Sequence, residues 1–409
     1  ADYDDLVVYI SARTDGAVVV DSGQISLNSN TANFSGRYLY GTGSSALSAT
    51  SGRFIAQYPG TSATASTFGN AEIYIPNYAG STNKSLSSTT VVETNAAATE
   101  MAIIAVLWSD TSAITSMTFN PVTGSNFVSG STFYLYGITH VPIIRGGTVT
   151  VPGDGFKYHT FRSTGTLQVV EPGDVEYLVV AGGGAAGNAA RFAGGGGAGG
   201  LLNGRLRMAP GQYTATIGAG GPVSGTTTAC KGTDSVISSI TAIGGGGGSV
   251  QDLSPGTGGS GGGGHGALTG QSGAAGTSGQ GNAGGTGSGS TYRTAGGGGG
   301  AGAVGGNGAQ NGGNGGNGLL IFDNVYAGGG GGSAYEYTDA TGNPGSGGTG
   351  GGGSGGRYRT TNGVASYNAT SGTSNTGGGG GGGAWHGAAS DSANGGSGIV
   401  TIRYPYDGN

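Results

Sequence analysis

The side chains and spacings from which catalysis could be built are few. His140, His159, His265 and His386 are scattered and lack the spacing of metal ligands. Cys230 is the one cysteine of the chain, so no intrachain disulfide forms, and it reads as a structural thiol. Gly182-x-Gly184-x-x-Gly187 follows a strand-like run, as a dinucleotide-binding turn would. That turn must open a helix, and here the chain runs straight into Gly194–Gly197, with Asp234 as the next acidic residue. Gly287-Ser288-Gly289 has neither a base nor a strand–helix elbow beside it. The expectation is a non-enzymatic protein without cofactor or metal.

What remains is a set of aromatic and cationic side chains set into glycine: Tyr292-Arg293, Tyr326, Tyr335 and Tyr337, Arg357-Tyr358-Arg359, Tyr367, and Trp385-His386. Tyr, Trp and Arg concentrate binding energy at interfaces. In a region almost without side chains, they must dominate any contact it makes. Two readings stay open. These residues contact a partner at exposed turns, or they cap and pack the ends of the glycine elements.

The elements that carry them are unusual. The chain has 100 Gly, of which 12 precede Val141, and uninterrupted blocks occur at Gly244–Gly248, Gly296–Gly300, Gly328–Gly332 and Gly377–Gly383. Glycine buries no side chain and costs roughly 0.5–1 kcal/mol more than Ala to order. Order must therefore come from backbone hydrogen bonds. Polyproline-II-type helices make none internally and turn every three residues, so a bundle of them bonds on all sides if every position is Gly. Asn311, Asn314 and Asn317 recur at every third residue, which puts them on one face, as on an outer rod with one wet side. A flexible linker is the alternative. The apolar inserts Leu319–Phe322, Tyr335, Tyr337 and Trp385 argue for order, as do the strand-like brackets Val175–Ala181 and Gly398–Tyr404, which can pair and close the region.

Upstream, Thr148–Val151, Lys157–Phe161 and Gly165–Val170 alternate as strands, and Tyr213–Ile217 and Ser235–Ile243 add further candidates for a small β base. In residues 1–140, short apolar runs such as Leu6–Ile10, Ala71–Ile75, Met101–Trp108 and Phe133–Ile138 lie between Ser, Thr, Gly and Asn. This is the pattern of an antiparallel sandwich or jelly roll. The predicted fold is all-β with essentially no α-helix: a β-sandwich over 1–140, a linker and β base over 141–181, a polyglycine-II bundle over 182–398, and a closing strand over 399–409. Acidic residues outnumber basic ones by 9 to 4 in residues 1–140, and the remainder has 11 of each. With no basic stripe, nucleic-acid binding is not expected. There is no apolar run long enough for a membrane span and no charged n-region ahead of an h-region.

The frame Glu176-Tyr-Leu-Val-Val-Ala-Gly-Gly-Gly184, Gly194-Gly-Gly-Gly-Ala-Gly-Gly-Leu-Leu202, Thr216-Ile-Gly-Ala-Gly-Gly221 and Gly395-Gly-Ser-Gly-Ile-Val-Thr-Ile-Arg-Tyr404 resembles the glycine-rich domain of bacteriophage tail and fibre proteins. The resemblance covers about residues 145–406. Residues 1–140 look similar to a phage virion β-sandwich through Asp5–Asp15, Gly36–Gly41 and Glu72–Gly80. The resemblance implies polyglycine-II rods whose distal loops contact a host surface glycan or outer-membrane protein. It also implies a homotrimer on the virion surface that docks other virion proteins through residues 1–140. A capsid decoration or head-fibre role and an extracellular glycine-rich matrix scaffold are the alternatives.

Overall fold

The computed structural model describes residues 3–95, 99–187, 192–224, 230–249, 253–266, 270–289, 293–336, 342–359, 368–386, 389–390 and 392–406. Among them there is no helix, and the fold is all-β. The chain divides into two compact units, Ala1–His140 and Val141–Asn409.

The first unit holds β1 (Asp5–Ala12), β2 (Val20–Leu27), β3 (Phe34–Gly41), β4 (Ala46–Thr50), β5 (Phe54–Pro59), β6 (Gly69–Ile75), β7 (Lys84–Val92), β8 (Glu100–Trp108), β9 (Met117–Pro121) and β10 (Thr132–Ile138). Seven of these form one sheet in the order β10-β1-β6-β7-β8-β3-β4, and β5-β2-β9 form the second. The pairings are antiparallel. Strict period-two burial along β7 and β8 turns Leu86, Ile104, Val106 and Trp108 inward, where they meet Ile25, Leu27, Ile55 and Tyr58 of the smaller sheet. Two buried charges tie the loops. Arg13 donates to the carbonyl oxygens of Ala63, Thr64 and Thr67, and Asp21 accepts from Thr14 Oγ1 and from the N–H groups of Thr123 and Gly124.

The second unit begins with β11 (Ile143–Arg145), β12 (Thr148–Thr150), β13 (Phe156–Phe161), β14 (Gly165–Glu171), β15 (Gly173–Val180), β16 (Leu201–Met208), β17 (Gly211–Ala215), β18 (Ser235–Ile237) and β19 (Ile240–Ala242). Short strands follow: β20 (Arg293–Thr294), β21 (Leu319–Ile321), β22 (Asn324–Tyr326), β23 (Ala334–Glu336), β24 (Arg357–Arg359), β25 (Trp385–His386) and β26 (Ala389–Ser390), and β27 (Ile399–Pro405) closes the unit. The base sheet runs β12-β13-β27-β15-β16, so β27 lies between strands that precede the glycine blocks and pairs with β15 from Glu176↔Arg403 to Val180↔Ile399. The bracketing segments do pair. Leu201–Met208 adds a base strand that the sequence pattern does not announce, because Asn203, Gly204, Arg205 and Arg207 break its apolar run.

Between β15 and β27 the glycine blocks form rods joined by their backbones. Residues 193–200 show the rule. Gly195 and Ala198 donate to Gly296 and Gly299, Gly196 and Gly199 to Gly380 and Gly377, and Gly197 and Gly200 to Gly246 and Ile243, at 2.8–3.1 Å. Every third N–H therefore meets the same neighbour, as three residues per turn require. The carbonyls serve three further rods: Gly263 and Ser260 donate to Gly195 and Ala198, Gly330 and Ser333 to Gly196 and Ala193, and Gly184 and Ala181 to Gly197 and Gly200. One rod thus has six neighbours. A Cβ on Gly195 would lie 2.1 Å from Gly330 O, on Gly196 2.1 Å from Gly184 O, and on Gly197 2.2 Å from Ser260 O. Gly195, Gly196 and Gly197 thus have no room for a side chain, whereas the methyl of Ala198 packs with Val180 and Leu201 at the base.

At the margin, side chains replace rods. Asn311, Asn314 and Asn317 are exposed on one face, as their spacing predicts. They are not merely wet. Their Oδ1 atoms accept the N–H groups of Asn343, Ser346 and Thr349 at 2.8–3.1 Å.

In the base, His159 is buried, with Nδ1 donating to Gly146 O at 2.8 Å and Nε2 beside Tyr404 Oη. Burial, aided by the Lys157 charge, pushes its imidazole below the usual value of 6.5 despite the bond to Gly146.

Two outcomes follow. Gly380→Val places a Cβ 2.1 Å from Ala393 O, and should cost at least the ~3 kcal/mol upper end of overpacking. Thermal unfolding and soluble yield of the full chain check this, with Gly41→Ala, whose Cβ meets nothing closer than 3.9 Å, as the near-neutral control. Second, the unfolded chain protonates His159 near 6.5 while the folded one resists. Stability is therefore complete above that value and declines as pH falls below it toward the depressed folded pKa. Melting curves between about pH 7.5 and 5.5 should slope less in His159→Asn than in wild type; equal slopes would show that His159 titrates normally.

Candidate binding site at the rod ends

The rods run between two kinds of end. At the base, Gly377 packs on Val180, and Tyr326 ends the β21–β22 hairpin just before the rod that begins at Ala327. Tyr326 is half-buried against the cluster of Leu178, Val180, Leu201 and Ile399, with Phe322 beside it. Burial raises its phenol above the usual range. Phe322 in turn covers Arg403, whose guanidinium lies 3.8 Å from the Phe322 ring centre and 4.0 Å from that of Phe156. Arg403 also donates to Glu176 and to Tyr158 Oη, at 2.8 and 3.0 Å. Tyr326 thus stands at the opposite end of its rod from Tyr335.

At the far end, the chain leaves the rods through β20, β23 and β24, which form one small sheet. Arg293 pairs with Tyr335, and Tyr335 with Tyr358, in register. The Tyr335 and Tyr358 rings stack at 5.5 Å between centroids, and Phe192 meets Tyr335 edge-on at 5.0 Å and His265 at 5.8 Å. The Arg293 guanidinium lies 5.6 Å from the Phe192 ring centre, within cation–π range. Arg357 donates to Asn343 Oδ1 at 3.0 Å, and Asn343 N–H donates to Asn311 Oδ1, which joins the cap to the Asn ladder.

The structure therefore brings together Arg293, Tyr335, Arg357 and Tyr358. Sequence reasoning left open whether these residues stand in exposed turns or pack the rod ends. They lie in strands, and Tyr335 and Arg357 are only 6% and 5% exposed, which makes them packing residues of a cap. Arg293 and Tyr358 are half-buried. The backbones of Arg359 and of Trp385 and His386 belong to β24 and β25. Tyr292, Tyr337 and Tyr367 lie outside the described residues. Phe192 and His265 were not among the candidates, although each adjoins a glycine block as the chosen inserts do. Phe192 holds φ +57, a left-handed backbone rare for a bulky side chain.

Residues 161–405, from the end of β13 to the end of β27, match the family model of the glycine-rich domain. The chain belongs to the glycine-rich domain family. The match spans the base strands as well as the rods, so the glycine-rich domain is the rods together with the sheet that anchors their ends. No curated protein and no solved structure matches the chain.

Chemically, Arg293 and Tyr358 are the cap residues that keep partial exposure, a guanidinium and a phenol, groups that pair with anions and stack on planar surfaces. Among the described residues, no three His, Cys, Asp or Glu side chains converge as metal ligands. If the cap is a packed core, Tyr335→Ala should cost about 3 kcal/mol in urea unfolding of the full chain. A loss near ~0.5 kcal/mol, as at an exposed position, would show that the ring is not packed.

Proposed function

We propose that this protein is a non-enzymatic phage virion surface component, an appendage that attaches to the host cell through the far end of its glycine-rich domain. The observation that carries this reading is the convergence of Arg293, Tyr335, Arg357 and Tyr358, with Phe192, on one rigid rod end. Along the interior of the rods the backbone lattice has no side chain to offer a ligand. Scaffolds that hold binding loops on rigid elements work in this way. In the attachment role, the buried Tyr335 and Arg357 hold the platform. Arg359, the last residue of β24, and Tyr337 and Tyr367, which follow β23 and β24 in the sequence, supply the contacts together with Tyr292, Trp385 and His386. The ligand class is a glycan or an outer-membrane protein, because stacking and guanidinium pairing suit either. The resemblance of the sequence frame to phage fibre domains supports the virion setting.

The burial of Arg357 decides which substitutions test this. Replacing it would disturb the cap, so the informative variant is Tyr337→Ser, Arg359→Ser and Tyr367→Ser combined. Particles carrying these three changes should assemble normally and adsorb to host cells at least tenfold more slowly. Normal adsorption would favour a role in decorating the capsid instead.

A further inference from the structure

The larger sheet of the first unit carries a second apolar face that the sandwich core does not use. An antiparallel sheet with one solvated face should be polar there. Here the outward positions include Leu39, Ile103 and Met101, 63%, 66% and 63% exposed, with Val91, Tyr9 and Tyr134 beside them. Registers place them side by side: Leu39 is opposite Ile103, Met101 opposite Val91, and Tyr9 opposite Tyr134. The face is hollowed by two adjoining depressions of about 560 and 390 Å³ that share Thr89 and Val91. Among the described residues of these strands, the exposed charges on this face are Arg37 and Glu72.

We propose that this face binds the same face of a second copy of the chain across a twofold axis. Size and charge both argue for a copy of itself. Seven strands at ~4.8 Å and about six residues at ~3.3 Å give roughly 600 Å² per copy, hence roughly 1,200 Å² in all, above the ~1,000 Å² that a specific interface needs. The two charges have opposite signs and are placed symmetrically. Arg37 lies on β3 and Glu72 on β6, each the second strand out from the β7–β8 boundary. Their levels differ by two residues, because Arg37 aligns through Ala105 and Ser87 with Tyr74. A twofold axis running along the β7–β8 boundary, tilted by that offset, sets Arg37 of each copy on Glu72 of the other. In such an isologous contact one pair occurs twice, here flanking Ser87, Ala105, Thr89 and Ile103, with the Val91–Met101 pair next along the boundary. A partner of uniform charge would leave one of the two unmatched. The inference stands apart from the attachment reading, since it concerns residues 1–140 alone.

Sedimentation velocity of the full chain at micromolar concentration tests it. Wild type should associate, and Ile103→Asp and Leu39→Lys should each weaken association at least tenfold. Arg37→Glu should weaken it as well, and Arg37→Glu with Glu72→Arg should restore it to within about threefold of wild type, because the swap rebuilds both pairs. Circular dichroism confirms folding, and if the apolar-to-charged variants unfold, the charge-swap set decides by itself. The proposal is overturned by a wild-type chain that stays monomeric, by association that Ile103→Asp leaves unchanged, or by a charge swap that restores nothing.

Discussion

Each peptide unit carries one donor and one acceptor that must be paired when buried, and the glycine-rich domain meets this demand without helix or sheet. With three residues per turn, successive N–H groups leave the rod about 120° apart, and the bonds of residues 193–200 to six neighbouring rods are the direct result. The rest of the domain depends on that geometry. It dictates Gly at every crowded position and pushes larger residues to the rod ends, where Phe192, Tyr335 and Arg357 gather at one end and Leu201 and Tyr326 at the other. It also explains the Asn ladder. A rod at the margin lacks a neighbour, and the side-chain carbonyls of Asn311, Asn314 and Asn317 stand in for one.

The lattice does not hold itself together cheaply. A typical internal hydrogen bond contributes a net ~0.5–1.5 kcal/mol, the same order as the extra ~0.5–1 kcal/mol cost of ordering each Gly relative to Ala. With so narrow a margin per residue, the rods need fixed ends. The base supplies one set through β27, which lies between β13 and β15 and so binds the last residues of the domain to the first. Arg403 carries this into the rods: paired with Glu176 and held between Phe156 and Phe322, it fixes the hairpin that leads into the rod at Ala327. The cap supplies the other set through packed rings.

Much of this was legible in the sequence. Unbroken glycine with three-residue Asn spacing points to rods, because the other backbone that turns every three residues, the 3₁₀-helix, rarely runs beyond three or four residues. The strand brackets are legible because β-branched runs flank the glycine. The strand Leu201–Met208 was hidden, since alternate positions there face solvent and carry Arg and Asn. The cap was half legible. Aromatic and Arg inserts mark the rod ends, but composition does not reveal whether such a side chain points into the end of a bundle or away from it. That depends on register between distant segments, as when Tyr335 meets Tyr358, and on strands of two or three residues that are too short to leave a pattern. Tyr326 looked like the other inserts and lies at the base, because only the direction of its rod distinguishes the two ends.

The same constraint separates the tasks of the two units. At the packed positions of the rods a Cβ would meet backbone at about 2 Å, as at Gly195, Gly196 and Gly380, so the interior of the lattice cannot acquire a binding surface. Side-chain chemistry in the glycine-rich domain is confined to rod ends and margins. The first unit has the opposite character. Its larger sheet buries one face in an ordinary core and leaves the other apolar and nearly uncharged, and a sheet can change its outer residues without altering its backbone bonds, because alternate side chains point away from the core. The proposed association between chains is thus placed on the sandwich, where surface and core are independent. Recognition in the proposed attachment role is best placed at the rod ends, where inserts vary without entering the lattice.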